Sequence, residues 1–235
     1  MQGPTSVNLD GIKAISFDLD DTLWAIKPVL LRAEKVSRDW LIANYPATQQ
    51  FFETHSIMDL RAEMFAAFPE RDYDLTFIRK ECYGRILEFG GYDRSAVDAV
   101  YAVFKKQRDT LELYDDVMPF FEGLASDLIR IALTNGTASL ARTPLKDEFH
   151  TYLNAFLVRA PKPEAAMFEA ALDQHQLAPH ELLHVGDDLV SDVGGALTLG
   201  IPTVWVNRHS KDWHDAHDRP HFVVNSLEQL AHLLC

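Results

Sequence analysis

The chain has 235 residues, 47% hydrophobic and 24% charged, and its 35 acidic against 22 basic side chains leave a formal charge of −13. These values describe an ordinary globular protein of one large domain or two smaller ones. So large a negative excess repels phosphate backbones and anionic lipid, which argues against a nucleic-acid or membrane-surface binder with a broad basic face.

Residues 1–11 (MQGPTSVNLDG) lack the basic start and apolar centre of a signal peptide. Ile12–Phe17 is a short apolar, β-branched run that stops at an acidic loop, the pattern of a buried strand ending in a functional turn. Far more chain then separates Asp18 from Thr134 than one crossover helix needs, so a module is inserted after the first strand. Residues 24–115 carry helical patterns at Pro28–Tyr45, Ile57–Phe68, Leu75–Phe89 and Ser95–Arg108, punctuated by Pro69 and Gly90–Gly91. They predict an all-helical cap domain over 24–115, leaving 1–23 and 116–235 as the core domain. Fifteen of the 25 aromatic residues fall in the insert, where a small helical body needs large side chains to form a core.

The core continues with a helix at Pro119–Ala125 and a strand at Leu128–Leu133 that runs into Thr-Asn-Gly. A strand at Phe156–Val158 leads into RAPKP, a helix covers Glu164–His175, and a strand at Leu182–Val185 runs into Gly-Asp-Asp. A helix at Val190–Leu199, strands at Pro202–Val206 and Phe222–Val224 (the last at an edge) and a helix at Leu227–Leu234 complete the chain. The alternation predicts an α/β fold, a Rossmann-like parallel sheet covered on both faces, with ligands bound beyond the carboxyl ends of its strands. Val193–Asn207 is uncharged but is broken by Gly200 and Pro202 and is too short to span a bilayer. Cys82 and Cys235 have no metal-binding or disulfide spacing and are expected as free thiols in a reducing cytoplasm. His209, His214, His217 and His221 surround Trp213, but their spacing fits no helical ligand pair, and a solvated loop is the expected reading.

Four loops carry candidate chemistry. In Asp18-Leu19-Asp20-Asp21-Thr22, residues two apart share a side while the chain is extended, so Asp18 and Asp20 can converge where a cation or a shared proton offsets their repulsion; an acidic turn or helix cap is the alternative. In Gly186-Asp187-Asp188-Leu189-Val190-Ser191-Asp192, Asp187 and Asp192 can gather oxygen ligands for a hard divalent ion, or simply favour a helix N-terminus. Thr134-Asn135-Gly136 offers a hydroxyl and backbone amides suited to phosphate oxygens, or is an ordinary turn. Lys162, between Pro161 and Pro163, is a cation on a stiffened loop or a surface lysine. Their order, each after its own strand, makes four coincidental readings improbable.

In that order the four loops resemble the motifs of the haloacid dehalogenase-like hydrolases, helical-cap subclass, and the resemblance runs from Ile12 to the last helix. It implies Asp18 as a nucleophile that becomes an aspartyl-phosphate and Asp20 as general acid, then base. Thr134, with the amide of Asn135, would hold a phosphoryl oxygen, and Lys162 would balance charge on nucleophile and phosphate. Mg²⁺ would be bound by Asp18, the carbonyl of Asp20 and Asp187, with Asp192 as a further or supporting ligand. Asp20 argues for phosphate esters, since a departing halide needs no proton. Asp21 departs from the commoner glycine at its place.

The stretches FDLDDTLWAIKPVLLRAE and LLHVGDDLVSDVGGAL are similar to bacterial members associated with riboflavin biosynthesis, which dephosphorylate a phosphoribitylamino-uracil intermediate and often flavin mononucleotide. Pyrimidine nucleotides and sugar phosphates are the alternative substrates. Trp24 and Lys27, just past the catalytic loop, and then Arg32 are the residues expected to face the leaving group, although a solvated helix face is open to Arg32. The partner expected is a small-molecule phosphate ester, with no nucleic acid and no membrane, for a cytoplasmic monomer or homodimer.

Overall fold

The computed structural model describes Leu9, residues 11–212 and residues 219–234; the expectations placed on the first eight residues, Asp10, Trp213, His214, His217 and Cys235 lie outside the described residues. The chain divides into two compact units, one of residues 1–25, 112–136 and 143–235, the other of residues 26–111 and 137–142. The division falls at Ile26 and Leu111, with 137–142, a piece of the core's second crossover, joining the helical unit.

The first unit is built on six parallel strands: β1 (Ala14–Phe17), β2 (Ile129–Thr134), β3 (Thr151–Asn154), β4 (Leu182–Gly186), β5 (Thr203–Val206) and β6 (Phe222–Val224), in the order β3-β2-β1-β4-β5-β6. β1, β4 and β5 are buried along their whole length, as befits a parallel sheet with both faces covered. The chain passes from β1 to β2 on one side and to β4 on the other, which opens a crevice at the carboxyl ends of β1 and β4.

One predicted strand is corrected. Phe156–Val158 lies in a single helical turn, Ala155–Val158, and the third strand is the preceding Thr151–Asn154. At the sheet edge β3 is only partly buried, so it needs no continuous apolar run, and Asn154 ends it by accepting the Leu157 amide with its side chain. The apolar run belongs instead to the turn, where Phe156 and Leu157 are 56% and 59% exposed. The helix predicted at Val190–Leu199 begins as a π-helical turn, Leu189–Gly194, that runs into Gly195–Leu197.

In the second unit, helices α1 (Ile26–Asn44), α2 (Gln49–Thr54), α3 (Ile57–Ala67), α4 (Leu75–Phe89) and α5 (Val97–Arg108) enclose their own core of Leu41, Ile78, Ile86, Leu87, Val100 and Phe104. The short α2 has no counterpart among the predicted helices. Cys82 packs in this core, and burial pushes its thiol up to about 11. Residues 137–142 join the unit because the Ser139 amide donates to the Asp109 carboxylate just past α5. Among the described residues no helix is long and apolar enough to cross a membrane.

Candidate active site

The sheet brings four of the predicted residues together. Lys162 is 1% exposed, and its ammonium donates to Asp18 Oδ1 (2.8 Å), Asp192 Oδ1 (2.6 Å) and the Leu133 carbonyl (2.7 Å). The carboxylates of Asp18, Asp187 and Asp192 offer oxygens within 4.8 Å of one another. Asp18 stands directly after β1 and Asp187 directly after β4, while Asp192 comes from the π-helical turn that follows. Gly186 makes room for this arrangement, because a Cβ there would lie 2.3 Å from the Asp192 carboxylate. The Asp188 side chain caps the turn by accepting the Val190 and Ser191 amides, while its own amide donates to Asp192 Oδ2 (3.0 Å).

The electrostatics follow from burial and from one cation among several acids. Burial pushes the Asp18 carboxyl well up, Asp192 and Asp20 add to the rise, and Lys162 opposes it. Burial also works against charge on Asp192, but Lys162 and His184 overcome it and hold that carboxyl below the ordinary range. Lys162 stays protonated because Asp18 and Asp192 outweigh its own desolvation. Asp187 is pushed up to about 7 by burial and by Asp192, with Lys211, 3.4 Å away, pulling the other way. Three carboxylates thus meet one buried ammonium, a deficit of positive charge that a dication with oxygen ligands fits.

Thr134 is buried at the end of β2, and its hydroxyl accepts the Gly136 amide, which shapes the loop. The Asn135 side chain clasps the Lys162 backbone, accepting its N–H (2.7 Å) and donating to its carbonyl (2.9 Å). The carboxylate of Asp20 turns to Trp24, whose indole N–H donates to Oδ1 at 2.8 Å. Trp24 is fully buried, and through this bond it supports the loop. Lys27 is exposed on the first turn of α1. Arg32, exposed farther along α1, is occupied by the Gln107 and Thr110 carbonyls at the end of α5. His209 is exposed, and His221 accepts the Thr203 amide with Nδ1, so neither joins the acidic cluster.

Several supporting residues escaped the sequence reading. Ser16 on β1 and His184 on β4 are register partners, and Ser16 Oγ lies 2.8 Å from His184 Nδ1. His184 Nε2 lies 3.3 Å from Asp192 Oδ1, and the ring packs edge-on against Phe168. Each is a polar residue inside an otherwise apolar strand, two positions before Asp18 or Gly186, and that shared offset was the available signal. Trp205, opposite Gly186 on β5, donates its indole N–H to the Asp187 carbonyl (2.9 Å). Arg208 donates to the Thr22 carbonyl and forks onto Asp116 (2.9 and 3.0 Å) while stacking on Tyr114; Asp116 also accepts the Leu227 amide.

A buried carboxylate directly after the first strand of a parallel sheet, a buried lysine on it and an acidic pair following the fourth strand are the features of a hydrolase site. The chain belongs to the haloacid dehalogenase-like hydrolases, whose family model matches residues 12–200. It is 30% identical over 233 residues to 5-amino-6-(5-phospho-D-ribitylamino)uracil phosphatase YigB of Escherichia coli (strain K12), covering 96% of this chain and 98% of the relative. It is 25% identical to N-acylneuraminate-9-phosphatase of Homo sapiens, over 97% of this chain and 96% of that protein. Among solved structures, 2-haloacid dehalogenase from Pseudomonas syringae pv. tomato DC3000 superposes with a TM-score of 0.86 at 30% identity, covering 95% of this chain and 98% of the other.

Proposed function

We propose that this hydrolase is a Mg²⁺-dependent phosphatase that cleaves small organic phosphomonoesters through an aspartyl-phosphate on Asp18. The observation that carries the reading is the half-buried Asp20, an acid two residues beyond the nucleophile and fixed by an indole. An alkoxide leaving group needs a proton and a halide does not. An Asp18 oxygen bonds to phosphorus as the ester P–O bond breaks, and Asp20 gives its proton to the departing oxygen. Water then attacks phosphorus, its proton passes to Asp20, and Asp18 leaves as a carboxylate with release of inorganic phosphate. Thr134, the Asn135 amide and Lys162 hold the phosphoryl oxygens. Asp18, Asp187 and the Asp20 carbonyl would hold Mg²⁺ with Asp192 behind them, supplying positive charge where several carboxylates would otherwise repel the phosphate.

The substrate we infer is a phosphoribitylamino-uracil or flavin mononucleotide, supported by the 30% identity to YigB over nearly the whole of both chains. Pyrimidine nucleotides and sugar phosphates are the comparison substrates; phosphomutase activity and a non-catalytic phosphate-binding role are the weaker readings. Dehalogenation is a second reading, favoured by the TM-score of 0.86 to the Pseudomonas structure and opposed by Asp20. We also propose a cytoplasmic enzyme acting as a monomer or homodimer. Asp18→Asn is expected to abolish phosphate release from 4-nitrophenyl phosphate with Mg²⁺ while the melting temperature is retained. Undiminished turnover by that variant, or halide release from 2-haloacids by a wild-type enzyme inert toward phosphate esters, overturns the phosphatase reading. Comparing kcat/KM across the named substrates tests the finer assignment, which equal values would remove.

A further inference from the structure

We propose that Trp24 is a positioning residue for proton transfer, acting through Asp20; the inference rests on the phosphatase reading above. Trp24 is 0% exposed, and its Nε1–H reaches Asp20 Oδ1 at 2.8 Å. The Trp24 backbone is bridged on one side to Asp20 and on the other to Leu113, and the ring is enclosed by full burial. Its carbonyl also accepts the Asp21 amide (2.7 Å), and Asp21 takes the left-handed conformation (φ 61°) that turns the chain back on itself. The acidic loop is thus a closed turn with a buried donor at its base and a half-buried carboxyl above it.

The chemistry of the pair is directional. An indole N–H donates and never accepts, so Trp24 carries no proton itself. Its bond to Oδ1 favours that atom as the acceptor and biases the transferable proton onto Oδ2. It also fixes the plane of the carboxyl, which sets where that proton points. Trp24 therefore matters in proportion to how much the leaving group needs protonation.

The test uses the whole 235-residue chain and two phosphate esters within the reaction class proposed above. Phenethyl phosphate releases a basic alkoxide, and 2,4-dinitrophenyl phosphate releases a phenolate that departs unprotonated. Trp24→Phe is expected to lower kcat/KM on the alkyl ester roughly tenfold and on the dinitrophenyl ester less than twofold. In an Asp20→Asn background the additional effect of Trp24→Phe on the alkyl ester is expected to vanish, because residues acting as a unit are not additive. If Trp24→Phe does not reach the wild-type melting temperature, site-specific β-(3-benzothienyl)alanine at position 24 keeps the bicyclic outline, removes the N–H and is expected to give the same split. Equal losses on both esters, or an undiminished effect in the Asp20→Asn background, overturn the inference and leave the phosphatase reading standing. A wild-type enzyme inert toward both esters removes that reading and the inference with it.

Discussion

Two asparagines at strand ends perform the same local act with different results. Asn135, after β2, clasps the backbone of Lys162 on both its N–H and its carbonyl; Asn207, after β5, clasps Lys211 in the same way, at 2.8 Å and 2.8 Å. Each lysine then reaches an active-site carboxylate. Lys162 is 1% exposed and bridges two buried acids, whereas Lys211 is 53% exposed and stands 3.4 Å from Asp187. The backbone clasp sets where a cation stands, and burial decides what its charge is worth, because an exposed pair is screened by water while a buried pair is not.

Lys162→Met probes that difference at its strongest point. It strands Asp18 and Asp192 together in a buried site, and it is expected to cut kcat about 1,000-fold and to cost about 3 kcal/mol of stability, measured by steady-state kinetics and urea unfolding. A change within twofold in both would break the comparison. The clasps themselves come next. Asn135→Ala is expected to lower kcat about 10- to 100-fold through a displaced Lys162, and Asn207→Ala only about twofold; equal losses would show that burial is not what separates the two lysines.

The smallest effect is one of pH, at the weakly countered Asp187. A carboxyl raised to about 7 in the folded protein is protonated more readily there than in the unfolded chain, so its ionisation costs stability as pH rises from the ordinary carboxylate range toward 7. Metal binding requires the ionised form. Mg²⁺ affinity is therefore expected to weaken as pH falls below about 7, with Asp187 contributing roughly one released proton per ion at pH 6 and about a tenth of one at pH 8, on top of what the raised Asp18 carboxyl releases. Titration calorimetry in buffers of different ionisation enthalpy measures the release, and a value independent of pH would count against Asp187 as a ligand.

The positions of Asp18, Thr134 and Asp187 were legible because strand ends are marked by an apolar run meeting a polar loop, and each stands at or directly after the end of its strand. The same signal failed at Phe156–Val158, where an edge strand needed no apolar run and a surface turn happened to contain one. The sequence puts Trp24 just past the acidic loop, but its direction depends on the bridge to Leu113, 89 residues along the chain, which no local pattern reports. Ser16 and His184 become meaningful only once β1 and β4 are paired in register, and Arg208 and Lys211 only once β5 has set where its following loop returns.

The central place of β1 has a consequence for how the protein is made. The strand that ends at Asp18 is synthesised before both of its neighbours, β2 and β4, and β4 ends only at Gly186. Until then an apolar AISF segment has at least one unpaired edge. Completion comes later still, since Arg208 must reach the Thr22 carbonyl across a separation of 186 residues. During translation the Asp18–Thr22 loop therefore precedes most of its own frame, so a ribosome stalled before β5 holds a chain that carries Asp18 without the contacts that aim it.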